Sequence, residues 1–142
     1  MIIRRWQESD RPFLRTLYLR ARKSSWTWLD SSAWQLEDFD AVTLGEAIWV
    51  AEEDGHRMGF ASVYENDNFL HNLFVDPDFQ GRGVGSALLK HAQSTFTHTG
   101  ALKCLSLNEG ALKFYQRHGW HVEAQGVSPQ GDYLLMHYVL KP

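Results

Sequence analysis

The sequence predicts an α+β domain: a central, mostly antiparallel mixed sheet with helices on both faces. Three observations carry that expectation. Short apolar runs near residues 47–52, 58–64, 69–75, 103–107, 120–125 and 132–140 are bounded by turn residues and read as strands. Stretches 9–23, 85–97 and 108–118 place their apolar residues at helical spacing instead. Turn signals such as Asp54-Gly55 and Ser128-Pro129-Gln130-Gly131 join consecutive strands tightly, and tight connections make antiparallel neighbours.

Composition bounds the class. A chain of 142 residues is long enough for a real core and is expected to fold as one domain over 1–142. Hydrophobic residues make up 44% and charged residues 22%, the balance of a folded chain rather than a disordered one. A formal charge of −3 shows no basic excess, so no nucleic-acid partner is expected. Cys104 is the single cysteine, which rules out an intrachain disulfide and fits a reducing compartment. The N-terminal Met1-Ile2-Ile3-Arg4-Arg5-Trp6 lacks the apolar run of a signal peptide, and no segment approaches 18 apolar residues. A cytoplasmic protein with no membrane partner is the resulting expectation.

Taken in order, residues 1–6 are a strand candidate. Ser9 or Asp10 can cap a helix that tolerates Pro12 in its first turn and places Phe13, Leu14, Leu17, Tyr18 and Ala21 at helical spacing through about Lys23. Arg11, Arg15, Arg20, Arg22 and Lys23 alternate with that stripe and read as a solvated face. Residues 24–45 carry Trp26, Trp28 and Trp34, which suit either a core or a groove wall; Ser31 or Ser32 is expected to cap a short helix through Phe39. The hairpin 47–64 follows, then a turn at Glu65-Asn66-Asp67-Asn68. The helix after Gly85 is expected to bury Val84, Ala87, Leu88, Ala92 and Phe96, with Gly100 ending the connection.

The informative stretch is Phe69 to Leu89. An apolar run, Phe69 to Val75, leads through the turn Asp76-Pro77-Asp78 into Gln80-Gly81-Arg82-Gly83-Val84-Gly85 and a helix. Strand, glycine-rich loop and helix N-terminus together make a phosphate cradle. Glycines let the backbone come close, and the first helical N–H groups are unpaired and point at an anion. Two familiar loops fit badly. A P-loop needs Lys and Ser/Thr after its last glycine, where Ser86 and Ala87 stand. A dinucleotide fingerprint wants Gly or Ala where Ser86 stands, and an acid about 20 residues on, where the chain reads Leu102-Lys103-Cys104.

Gln80-x-x-Gly83-x-Gly85 after an apolar strand ending in Val75-Asp76-Pro77 resembles the acetyl-CoA pyrophosphate loop of the GNAT superfamily of acyl-CoA N-acyltransferases. Asn108-Glu109-x-Ala111-x-x-Phe114-Tyr115 with Gly119-Trp120 resembles that family's second signature, and both occur in the family's order. The resemblance runs from about Ala47 to the C-terminus. It implies a sheet whose fourth strand (69–75) splays from the fifth (103–107), acetyl-CoA as co-substrate, and direct transfer of its acetyl group to a primary amine. The acceptor is a small molecule or a peptide, and the protein a monomer or homodimer.

In that chemistry the amides of Gly81, Arg82, Gly83, Val84 and Gly85 bind pyrophosphate with the helix dipole assisting, Gln80 orients the loop, and Arg82 adds charge. Backbone groups of Leu73 and Val75 hold the pantetheine and acyl groups as a strand edge would hold a peptide, and an N–H at Leu73 or Phe74 polarises the thioester carbonyl. Asn108 and Tyr115 lie seven residues apart on one helix, hence on one face about 10 Å apart. Asn108 is also a good N-cap, and both readings stand open. Tyr115 is the expected general acid toward the departing thiolate; a core tyrosine is the bland alternative.

The base is less determined. Relatives that carry a glutamate five residues before the Asn have it where Lys103 stands here, and others carry an acid where Phe69 stands. Strand alternation puts His71 on the face of Phe69 and Leu73, which makes it the expected base; a surface histidine is the alternative. Glu65 and Asp67 read as turn residues. The remaining histidines show no ligand spacing, so no metal is expected, and Cys104 reads as core. The missing glutamates leave one other function open, a non-catalytic acyl-CoA-binding or sensing module.

Overall fold

The computed structural model describes residues 1–140; Lys141 and Pro142, the end of the expected single domain, lie outside the described residues. Seven strands form one sheet: β1 (Ile2–Arg5), β2 (Ala47–Glu53), β3 (His56–Tyr64), β4 (Phe69–Val75), β5 (Gly100–Leu105), β6 (His121–Ser128) and β7 (Gly131–Tyr138). Their order is β1-β2-β3-β4-β5-β7-β6, and the β4–β5 pair alone is parallel. Among the described residues four α-helices accompany it: α1 (Arg11–Ser25), α2 (Asp38–Thr43), α3 (Val84–Ser94) and α4 (Glu109–Arg117). The α+β class, the mixed sheet and the two helical layers are as expected. None of these helices is long and apolar enough to cross a membrane.

The central strands read as continuous apolar runs because both their faces are covered. Along β2, Ile48 and Val50 pack with Leu14, Leu17, Phe39 and Phe60 beneath α1 and α2. Ala47, Trp49 and Ala51 point the other way, toward Leu88, Leu89 and Ala92 of α3. Burying each such large apolar side chain contributes about 1.5–3 kcal/mol.

Three expectations are corrected. The helix in the tryptophan-rich segment starts at Asp38, not at a Ser31 or Ser32 cap. Asp30 instead accepts from the Ser32 amide and Asp38 from the Gln35 amide, holding 30–37 in turns. The basic residues of α1 are only in part a solvated face: Arg20 and Lys23 are exposed, Arg11 and Arg15 half-buried. Arg22 is buried, lies over the rings of Tyr18 and Trp34, and pairs with Asp38; Arg11 and Arg15 pair with Asp40, and Arg20 with Asp76 and Asp78. These contacts fasten α1 to α2 and to the turn after β4, tertiary partners that helical periodicity alone does not reveal. In α3, Leu89 is fully buried whereas Ala87 is only half-buried, and the helix stops at Ser94 rather than near Thr97.

The feature that positions the site is a parting of strands. β4 and β5 share one register pair, Phe69 with Ala101, and then diverge. A V-shaped gap opens in the middle of the sheet, with the loop before α3 at its wide end.

Candidate active site

The wide end is built from backbone. Asp76 accepts from the Asp78 amide and caps a 3-10 turn, Pro77–Phe79; Gln80 follows in extended conformation and donates from Nε2 to the Val75 carbonyl at 3.2 Å. Gln80 therefore does fold the loop back onto β4. Gly81 and Gly83 both sit at φ +78°, a left-handed backbone that side-chain-bearing residues rarely adopt, and Gly83 is the N-cap of α3. The first-turn amides of α3 thereby face the gap with their dipole behind them. Ser86 donates to His118 Nε2 at 3.1 Å, while His118 Nδ1 donates to the Phe114 carbonyl at 2.8 Å. That relay ties α3 to α4 and escaped the sequence reading. Arg82 is exposed, 5.2 Å over the Phe79 ring, and outside the cleft wall; Arg117 of α4 lines that end instead.

The edge of β4 comes next. The Asp76 amide donates to Met58 of β3 at 2.8 Å, so the even-numbered residues of β4 near this end turn their backbone groups toward β3. Leu73 and Val75 then turn theirs into the V, as expected of a pantetheine-holding edge. Phe74 does not: its carbonyl lies against β3, 2.7 Å from where a Cβ on Gly59 would be. Of the two expected carbonyl-polarising amides, Leu73 is the one that geometry retains. The Phe74 ring packs edge-on against Tyr18 and Trp26.

Two adjoining cavities, each of about 570 Å³, meet across the V and share Trp26, His71, Phe74, Lys103 and Leu105. The first reaches the glycine loop and contains Asn108 and Tyr115 in its wall. Asn108 caps α4, accepting from the Ala111 amide at 3.3 Å, which confirms the capping role and leaves its amide nitrogen for another partner. Tyr115 packs edge-on against Phe114 and Trp120. Its hydroxyl has no hydrogen-bond partner among the described residues, yet no side-chain polar atom there is both buried and unpartnered, so the hydroxyl opens onto the cleft. Desolvation, with a smaller repulsion from the Cys104 side, raises its pKa well above the ordinary phenol value. Cys104 is buried and its thiol is pushed up to about 11, in keeping with a core residue.

The second cavity lies under α1 and is walled by Tyr18, Trp26, Trp34, Phe69, Phe74 and Tyr133. Two of the three clustered tryptophans thus line a groove, while Trp28 lines neither cavity. His71 reaches this groove by a route alternation does not describe. The β3–β4 register passes from Ser62–Asn72 to Val63–Leu70, leaving His71 as the extra residue of a β-bulge. Leu70 and Leu73 therefore face α3, and Phe69 faces the α1 side with Phe74. His71 does not share a face with both Phe69 and Leu73; it shares that of Phe69.

The bulge also gives His71 a partner that sequence reasoning missed. Nδ1 lies 2.6 Å from Oε2 of Glu46, whose side chain is 9% exposed and whose other oxygen accepts from Ser62 Oγ at 2.6 Å. Asn72 donates to the same serine at 2.8 Å and to the Val42 carbonyl at 3.1 Å. A carboxylate only accepts, so Nδ1 donates to Glu46 and Nε2 is the ring nitrogen left for the cavities that His71 lines. Glu46 follows the left-handed Gly45 at the foot of β2 and is 25 residues from His71. No local pattern marks it. Glu65 and Asp67 form an exposed 3-10 turn away from both cavities. No group of His, Cys, Asp and Glu among the described residues is placed to hold a metal.

Comparison with known proteins matches this architecture. The family model described as "Acetyltransferase (GNAT) family" matches residues 4–120. Peptidyl-lysine N-acetyltransferase YiaC of Escherichia coli (strain K12) is 32% identical over 126 residues, 85% of this chain and 84% of its own length. The uncharacterized N-acetyltransferase YafP of the same organism is 28% identical across 96% of this chain and 93% of its own. Among solved structures, PaiA N-acetyltransferase from Thermoplasma acidophilum in complex with coenzyme A superposes with a TM-score of 0.80 at 18% identity, covering 98% of each chain. Apo YjaB from Escherichia coli does so at 0.77 and 25%, covering 98% of this chain and 99% of its own. The glycine loop, the parted β4–β5 pair and the match over most of the length agree, and this chain belongs to the GNAT acetyltransferase family.

Proposed function

We propose that this protein transfers the acetyl group of acetyl-CoA directly to a primary amine, with His71 as general base and Tyr115 as general acid. The observation that carries the reading is the meeting of two cavities at His71, one running to the glycine loop and one to an aromatic groove. Acetyl-CoA enters by the wide end of the V. Its pyrophosphate sits on the amides between Gly81 and Gly85 with Arg117 nearby, its pantetheine pairs with Leu73, Val75 and the free amide of Asn108, and the Leu73 N–H faces the thioester oxygen. The amine arrives through the second cavity. Coenzyme A bound to a neighbour of the same fold supports the cofactor, and YiaC and YjaB, both named peptidyl-lysine N-acetyltransferases, support the amine acceptor.

His71 takes one proton from the ammonium at Nε2 and passes it to solvent. The amine nitrogen bonds to the carbonyl carbon, and the C–S bond breaks. Tyr115 gives its proton to sulfur and is reprotonated by the second nitrogen proton. Its raised pKa keeps the phenol protonated throughout the neutral range. Hydrogen-bonding of His71 to a nearly buried carboxylate favours this reading over a module that only binds acyl-CoA, for which an oriented imidazole has no task. Incubating the protein with acetyl-CoA and a panel of amines and following thiol release tests the proposal. Amine-dependent release is the expected result; acetyl-CoA binding without release from any amine would leave only the binding module.

A further inference from the structure

Lys103 stands where an acceptor has to pass. One register pair holds β4 to β5, and two residues beyond it the diverging strands carry His71 on one side and Lys103 on the other. Both line both cavities. The gap between them starts from the normal strand spacing of about 4.8 Å and widens from there. Lys103 is also placed rather than loose. Its ammonium lies 4.9 Å from the centroid of the Tyr133 ring. That ring lies across β6 at Gly126, its register partner, where an added Cβ would come within 2.3 Å of the ring. A glycine makes room for the ring, and the ring supports the cation.

The charge around it is one-sided. Among the described residues no carboxylate lies within ion-pair distance of Lys103. Asp38, the carboxylate in the groove wall, is held by Arg22 at 3.2 Å, and Glu46 is held by His71. Among the described residues that line the groove, Arg22 and Asp38 pair with each other and Lys103 is the charge without an ion-pair partner, on the strand opposite His71. A diamine or a lysine side chain surrounded by other cations is repelled there. The cofactor phosphates are not what Lys103 serves: they belong at the loop beyond Val75, four strand residues or about 13 Å from the His71–Lys103 level.

We propose that the acceptor is an amine that carries its own carboxylate and an apolar body: a free α-amino acid with a large apolar or aromatic side chain. Its carboxylate pairs with Lys103, its amine meets His71 Nε2 across the gap, and its side chain lies against Trp26, Trp34 and Phe69. One carbon separates amine from carboxylate, which suits the narrow part of the V. The C–N bond forms at the α-nitrogen and the thioester C–S bond breaks; one nitrogen proton leaves through His71 and the other reaches sulfur by way of Tyr115. The carboxylate itself does not react. The proposal rests on the acetyl-transfer reading above.

The test measures acetyl-CoA binding by calorimetry and acetylation by thiol release. Acceptors are L-phenylalanine, L-tryptophan and L-leucine, their carboxamides, phenethylamine, putrescine and an N-terminally blocked lysine peptide. The expected result is a kcat/KM at least tenfold higher for the free acids than for their amides. Lys103→Gln should bring that ratio close to one, and Lys103→Glu should invert it in favour of putrescine; both changes are at an exposed position. Amides that match their acids, a preferred lysine peptide, or a Lys103→Gln variant with weakened acetyl-CoA binding would each overturn the proposal. Acetylation of only the peptide or the diamine leaves acetyl transfer standing and removes this inference alone. Absence of acetyl-CoA binding, or binding with no acetylated amine at all, removes both.

Discussion

The two halves of the cleft are made of different material. The half proposed for the cofactor is backbone: left-handed glycines, first-turn amides of α3 and the Leu73–Val75 edge, all within Phe69 to Leu89. The half proposed for the acceptor is side chain, drawn from Tyr18 to Tyr133: aromatic walls, a histidine on a bulge, a glutamate from the foot of β2 and a lysine on a ring. A shape shared by every user of one cofactor can be written in backbone geometry, close together in the chain. Chemistry that differs between acceptors has to be written in side chains, and those meet only when the sheet assembles.

Substitutions can break or sharpen that contrast. The largest effect is expected from the acceptor half. His71→Ala should lower kcat about a thousandfold, within the range of lost general-base catalysis, while acetyl-CoA affinity by calorimetry stays near wild type. A comparable loss of cofactor affinity would show that the halves are not separable.

A site outside both halves supplies the control. Asp10 is 1% exposed and accepts from Arg4, Arg57 and the Gln7 amide. Asp10→Asn should cost about 3 kcal/mol in urea unfolding, the low end for a broken buried pair because the arginines reach water. Hydrogen bonds from Arg4 first, then Arg57 and Gln7, outweigh desolvation and hold this carboxyl well below its ordinary range. A depressed folded pKa stabilises fully above the unfolded value near 3.9, and the contribution fades as pH falls from there through the folded value. The wild type should therefore lose stability below about pH 4 more steeply than Asp10→Asn. An equal acid slope in the two proteins would assign the transition to other carboxyls.

Tyr115→Phe should reduce kcat about a hundredfold and leave acetyl-CoA binding intact, because the ring packing on Phe114 and Trp120 survives the loss of the hydroxyl. Unchanged turnover would assign the thiolate proton to solvent. The smallest effect falls on the cofactor half. A Cβ at Gly83 meets no neighbouring atom within 4 Å, so the cost of Gly83→Ala is the φ of +78° alone, about 1–2 kcal/mol. The acetyl-CoA dissociation constant should rise about tenfold, with kcat at saturating cofactor close to wild type. A fall in kcat with affinity intact would mean that the loop also shapes the acceptor half.

Legibility followed the same division. The β4 limits, the Gln80 loop, the Asn108 cap and the alternation of apolar runs could be read directly, since each is a local rule of backbone geometry or periodicity acting over a few residues. Three readings went astray where a distant partner decided the outcome. Arg22 looked like a solvated residue until Asp38, Tyr18 and Trp34 closed on it. The helix expected from Ser31 or Ser32 gave way to turns bonded by Asp30 and Asp38. His71 was placed by simple alternation, which the bulge opposite Ser62 and Val63 interrupts.

From sequence alone, then, this protein had its fold class, its glycine-rich loop and the helix bearing Asn108 and Tyr115. Glycine, capping residues and apolar periods constrain the chain through atoms only a few bonds away. Tertiary structure alone decided that Glu46 bonds His71, that Phe74 turns its carbonyl to β3, and that Lys103 and His71 stand on opposite strands of the V. Those relations depend on strand register and on where two strands part, and register is set by the packing of the whole sheet.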